Sequence, residues 1–165
     1  MDAICDTSPL IFLVKIGRIN VLQKLYTSIS IPPAVQSELY TNLSSDEILI
    51  RELIKQGSIT VVTASPQSLE MVPEELGSGE EEALALMHDM HRAILITDDS
   101  QARTYCRAHS FQVTGTIGVL VEAYYRKIIP PSEDDIDHLI EAGMWLSEPF
   151  YHRIINEIEK MRNEI

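Results

Sequence analysis

Short apolar runs alternate along the chain with longer stretches of helical periodicity. The apolar runs Ala3 to Asp6, Ile29 to Ile31, Ile59 to Val62, Ala93 to Thr97 and Gln112 to Thr114 are each bounded by polar or turn residues. Strands buried on both faces of a parallel sheet have that look, because helices cover both sides. Between them the spacing predicts helices over Pro9 to Ile16, Ile19 to Tyr26, Pro33 to Asn42, Asp46 to Lys55, Glu80 to His91, Ser100 to His109 and Thr116 to Arg126. Two more follow, over Ser132 to Ala142 and Ser147 to Arg162. This alternation predicts a three-layer α/β fold built on a parallel sheet.

Local punctuation agrees with these boundaries. Pro32 and Pro33 open a helix, where a missing N–H costs little. Gly57 follows a helix ending near Gln56, as a C-terminal cap does. Ser132 precedes Glu133, Asp134 and Asp135, and acids are favourable in a first helical turn. Ala64 to Gly79 holds Pro66, Pro73, Gly77 and Gly79 and reads as one long loop. The last helix sets Phe150, Ile154, Ile158 and Met161 on one side, a stripe for the core or for a second subunit. No internal repeat or low-complexity tract marks a boundary, so 1–165 is expected to be one domain, with the helices of 132–162 packed on it or at an interface.

Composition narrows the classes. A chain of 165 residues with a 45% hydrophobic fraction can bury a sizeable core. No apolar run approaches the roughly 18 residues that span a bilayer. The start MDAICD enters a strand at once and lacks a signal-peptide pattern, so a cytoplasmic protein without a membrane is expected. Cys5 and Cys106 lie in apolar segments outside any CxxC pattern and are expected to be reduced and buried. The net charge of −12 argues against a broad basic surface for nucleic acid. It leaves room for an enzyme that meets phosphate through a metal and a few local cations such as Arg103, Arg107, Arg126 and Lys127.

Acids then change the picture. Asp6 ends the first strand, and Asp98 and Asp99 end the fourth. Open α/β sheets bind ligands outside the carboxyl ends of their strands, where the strand order reverses. Acids at two such ends suggest that strands one and four are neighbours there. Glu38 falls on the inward stripe of Ile31, Val35, Leu39 and Asn42. In GSGEEEALALM only one of three consecutive acids can face a shared site, since helical neighbours point about 100° apart. Glu80 continues the stripe of Ala83, Leu84, Met87 and His91; Glu82 continues that of Leu86 and Met90, and Glu80 is preferred. Asp99 is preferred over Asp98 as a ligand, the other capping the next helix. Each acid also has a plain role, as a helix cap or a solvated carboxylate. Together they offer oxygen ligands suited to Mg²⁺ or Mn²⁺. Thr116 can cap a helix or contact one of these acids. His88 and His91 lack a third ligand for zinc.

Nearly the whole chain resembles the PIN-domain family, in its short prokaryotic branch beginning with DTSPLI. The runs that carry the resemblance are CDTSPLIFLVKIGRINVLQKLY, ISIPPAVQSEL, LGSGEEEALAL, AILITDDSQARTYCRAHSFQVTGTIGVLVEAYYRKII and LIEAGMWLSEPFYHRII. The resemblance implies a five-stranded parallel sheet of order 3-2-1-4-5 and a metal-dependent ribonuclease site. It carries catalytic roles onto Asp6, Glu38, Glu80 and Asp99, with Asp98 the close alternative, and metal contacts onto Asp6, Glu80, Asp98 and Asp99. It also implies an RNA substrate and an antitoxin protein as partner, and the apolar stripe of the last helix adds the expectation of a homodimer. The competing expectation is a non-catalytic interaction module on the same fold, favoured by the negative charge. A phosphate loop GxxxxGK[ST] is absent. Ser8 stands where a phosphatase built on Asp6 would place its second acid.

Overall fold

The computed structural model describes residues 1–41 and 44–163. The strands are β1 (Ala3–Cys5), β2 (Ile29–Ile31), β3 (Thr60–Val61), β4 (Ile94–Ile96) and β5 (Gln112–Thr114). The helices are α1 (Thr7–Lys15), α2 (Asn20–Leu25), α3 (Pro33–Thr41), α4 (Ser45–Lys55), α5 (Pro66–Glu70), α6 (Ser78–Asp89), α7 (Ser100–Ala108), α8 (Thr116–Tyr125), α9 (Glu133–Glu141) and α10 (Glu148–Asn163). All strand pairs are parallel, in the order β3-β2-β1-β4-β5. The chain therefore builds outward from β1 to β3 and then crosses back to add β4 and β5 on the other side. The crevice between β1 and β4 is the switch point, with Ala3, Ile4 and Cys5 paired to Ile94, Leu95 and Ile96.

Side-chain alternation divides the core into two layers. Ala3, Cys5, Ile29, Ile31 and Ile96 face one cluster, packed with Leu10, Leu13, Leu22, Leu120 and their neighbours. Ile4 and Leu95 face the other, filled by Ala83 to Met87 of α6 and by Ala102 and Cys106 of α7. The central strands β1 and β4 are apolar on both faces because both faces are covered. Ile136, Leu139, Ile154, Ile158 and Met161 belong to the first cluster, so α9 and α10 complete that layer. Cys5 and Cys106 are buried free thiols. Among the described residues no helix is long and apolar enough to cross a membrane.

Capping accounts for most departures from the boundaries expected above. The helix expected at Pro9 starts at Thr7, because the Asp6 carboxylate accepts the Thr7 N–H at 2.8 Å. Ser44 and Glu47 form a reciprocal capping box, so α4 starts at Ser45 rather than Asp46. The expected loop from Ala64 to Gly79 contains α5, with Ser65 as its cap and Pro66 in its first turn, and α6 already begins at Ser78. Asn42, named at the end of a helix and of the Glu38 stripe, lies outside the described residues. Gly57 closes α4 at φ +78°, a left-handed conformation that glycine adopts without a Cβ penalty.

The first turn of α9 also ties layers together. Asp135 is 3% exposed and takes the Arg18 Nε at 3.0 Å and the Tyr124 hydroxyl at 2.8 Å. Arg18 lies between α1 and α2, and Tyr124 on α8, so one carboxylate fixes three segments.

Candidate active site at the carboxyl edge of the sheet

Asp6 follows the last residue of β1, with its N–H on the Ile96 carbonyl at 3.0 Å. That bond continues the β1–β4 ladder and points the carboxylate out over the switch point. The residue is 4% exposed. Oδ1 accepts the Thr7 N–H, and Oδ2 accepts the Thr97 hydroxyl at 3.0 Å. Burial pushes its pKa up to about 6, reinforced by the charges of Glu80 and Glu38 and opposed by the Thr7 and Thr97 hydrogen bonds.

Three acids from three elements therefore crowd one place. Glu38, exposed on α3, accepts a short hydrogen bond from the Thr7 hydroxyl, next in the chain to Asp6. It also lies against the start of α6: a Cβ at Gly79 would sit 2.8 Å from Glu38 Oε1. Glycine at that position lets the α3 carboxylate and the α6 backbone approach each other. Glu80 folds back over Gly77, the N-cap of its own helix. Glu82 points elsewhere, accepting the Ala34 N–H at 2.8 Å and capping the first turn of α3. The two competing glutamates are thus separated by partner: Glu82 is occupied in joining α6 to α3, while Glu80 bears on Asp6.

The two acids after β4 diverge. The capping expected of Asp98 falls to Asp99, whose side chain caps α7 through the Ala102 N–H at 2.7 Å and whose own N–H reaches the Thr97 hydroxyl at 3.2 Å. It is linked to Asp6 through that threonine. The Asp98 side chain turns to the next helix and accepts the Thr116 N–H at 2.8 Å and hydroxyl at 2.5 Å. Thr116 is therefore the partner of an acid and not a cap: Gly115 holds the N-cap position of α8, and the Thr116 hydroxyl is given to Asp98. Arg103 donates to the Thr97 carbonyl at 3.3 Å. A Cβ at Gly115 would meet both Asp98 Oδ1 at 2.6 Å and Arg103 Nη1 at 2.7 Å. Among the described residues no three histidine, cysteine or acidic side chains already converge as metal ligands. The donor set nonetheless fits a hard cation: it is all oxygen, and the buried Asp6 carboxylate is held among like charges that a cation would offset.

A family model described as a PIN domain matches residues 2–160. The chain belongs to the PIN-domain family. PIN domains are generally nucleases and generally use divalent metal ions. No curated protein matches this one in sequence. It is similar to a chain in the crystal structure of VapBC2 from Rickettsia felis bound to a DNA fragment from their promoter, at 15% identity and a TM-score of 0.47, over 70% of this chain and 98% of that one.

Sequence reasoning passed over two hydroxyls of this PIN domain. Thr97 is 1% exposed at the end of β4 and bridges Asp6 to the Asp99 backbone. Thr7 bonds Glu38. A threonine closing a buried strand beside an acid pair was the available signal, since a buried hydroxyl requires a partner. His88 packs against Tyr105, His109 and Phe111, with its ring nitrogen 2.8 Å from the Tyr105 hydroxyl. It takes no part in the acid site.

Proposed function

We propose that this PIN domain is a metal-dependent endoribonuclease, with Asp6, Glu38, Glu80 and Asp99 as its catalytic acids, Asp98 as the close alternative, and Mg²⁺ or Mn²⁺ held by Asp6, Glu80, Asp98 and Asp99. One observation carries this reading: a buried Asp6 at the switch point, raised in pKa and crowded by acids from α3 and α6. A bound divalent ion supplies a more acidic water for attack on phosphorus and offsets charge on the phosphate. The chain's own residues fix its ligands. Thr97 orients Asp6, Thr7 orients Glu38, and Arg103 stands at the end of β4 to attract a phosphate. The reading extends to a cytoplasmic toxin that acts on RNA, forms a homodimer and is restrained by an antitoxin protein.

Purified protein incubated with mixed cellular RNA is expected to cleave it in Mn²⁺ or Mg²⁺, to stop under chelation and to resume when the metal is restored. Absence of cleavage under every metal condition overturns the proposal. The net charge of −12 favours a second reading, a non-catalytic module for a basic protein partner. Intact RNA together with a metal-independent melting temperature is the pattern that module would give.

The two glutamates of α6 give a sharper check. Glu82→Ala removes the bond to the Ala34 N–H and is expected to cost about 1 kcal/mol of stability, with cleavage kept. Glu80→Ala is expected to do the reverse. Urea unfolding beside the RNA assay reads both, and swapped outcomes would move the ligand to Glu82.

A further inference from the structure

A cavity of about 570 Å³ opens beside the acids, between β5, α8 and the turn that leads into α10. A second hollow of about 730 Å³ continues it over the same turn towards Ser100 and Arg153. Asp98 and Trp145 line both, so the space begins at the acid site and runs past the indole. Trp145 is the sole tryptophan of the chain and is 83% exposed. No aromatic ring among the described residues stacks on it.

The chemistry of the walls is mixed. Phe12, Ile117, Val121 and Ile154 make an apolar back. Arg103 lines the first hollow and Arg153 the second. The Arg153 guanidinium sits over the Phe150 ring at 5.0 Å and forms no ion pair among the described residues. In so acidic a protein an unneutralised arginine marks a place for an anion. Half-buried Glu157 also lines the first hollow, without a hydrogen bond or ion pair among the described residues. An acidic peptide would set its carboxylates against Glu157 and Asp98. A nucleotide divides its chemistry the right way: a flat neutral base for the interior and an anionic phosphate for the arginines.

Resting on the ribonuclease reading, we infer that this cavity is a nucleobase subsite of single-stranded RNA. The base stacks on Trp145 and gives an exocyclic amino group to Glu157, while its phosphate meets Arg103 and Arg153. Acidic side chains accept from the amino group of cytosine, which uracil lacks. The subsite therefore favours cytosine over uracil at equal strand charge.

Trp145 reports on its own occupancy. Intrinsic fluorescence of the full chain is followed under chelator, so that no strand is cut, with cytidine hexamer, uridine hexamer and an abasic strand of equal charge. The cytidine hexamer is expected to quench emission saturably and to bind several-fold tighter than the uridine hexamer. The abasic strand is expected to leave emission unchanged. Binding of labelled cytidine hexamer, read by anisotropy, is expected to weaken about tenfold in Trp145→Ala and to recover in Trp145→Phe. Glu157→Ala is expected to remove the preference for cytidine. An unquenched signal, equal quenching by the abasic strand, or unchanged affinity in Trp145→Ala overturns the subsite. Cleavage by the same preparation in Mn²⁺ separates the two ideas. Cleavage without quenching defeats the subsite alone, and quenching without cleavage defeats the nuclease reading while the base-binding cavity stands.

Discussion

Asp6→Asn is expected to lower RNA cleavage by about a thousandfold and, in the same protein, to raise the stability of the metal-free fold. The first effect follows from losing the central ligand of a cation worth several kcal/mol to the charged transition state, at about 1.4 kcal/mol per factor of ten. The second follows from the raised carboxyl. Asp6 titrates at about 6 in the fold, against 3.8 for a free aspartate. Below pH 4 both folded and unfolded chains hold the proton, and the carboxyl has no effect. Between pH 4 and 6 the unfolded chain ionises first, so stability falls as pH rises. Above pH 6 the penalty is complete, at up to about 3 kcal/mol. Asn keeps the shape without the charge. The gain over wild type should therefore grow from pH 4 to pH 6 and then level off, at up to roughly 6–12 °C in melting temperature for a domain of this size. Adding Mn²⁺ should raise the melting temperature of wild type and leave Asp6→Asn in place. A gain that is constant across pH would show that the charge of Asp6 is not what strains the fold.

Asp135→Ala is expected to be the most damaging single change away from the acid site, at about 3 kcal/mol. The carboxylate is buried, and its two oxygens hold Arg18 at 3.0 and 3.1 Å and the Tyr124 hydroxyl at 2.8 Å. Removing one member of such a pair strands the other, which costs more than the pair itself contributes. Burial first, and then the Asp135 charge, already push the Tyr124 hydroxyl well above the usual tyrosine range. Arg18 is 32% exposed and can turn towards water, which keeps the loss at the lower end of the range for buried pairs. The double change Arg18→Met with Asp135→Leu should unfold nearer to wild type than Asp135→Ala alone. Urea titration decides this, and an exposed-pair loss below about 1 kcal/mol would show that the bond network is ornamental.

The alternation of short apolar runs with helical spacing was enough to place every strand to within a residue or two and to announce helices on both faces. Period and burial are local properties, and Ile4, Leu95 and Ile96 face their layers because strand neighbours must. Asp6 and the Asp98/Asp99 pair stood out for the same reason: an acid closing an apolar strand is visible in one dimension. Strand order was not visible there. The acids hinted only that β1 and β4 are neighbours, and the full order came from family resemblance, because nothing in a single strand says which neighbour it will pair with.

Partnership was decided by the tertiary structure. Glu80 and Glu82 are two residues apart and each continues an apolar stripe, and only the packing of α6 on α3 gives Glu82 the Ala34 N–H. Asp98 and Asp99 are adjacent, yet one reaches the start of α8 and the other caps α7. Asp135 read as one of three favourable first-turn acids, and became a buried clamp once Arg18 and Tyr124 were brought to it. The sequence by itself determined which residues could be buried and where acids meet strand ends, since both follow from short-range periodicity and solvation. Only the fold decided which carboxylate is strained and which is satisfied, because that depends on hydrogen-bond donors far away in the chain.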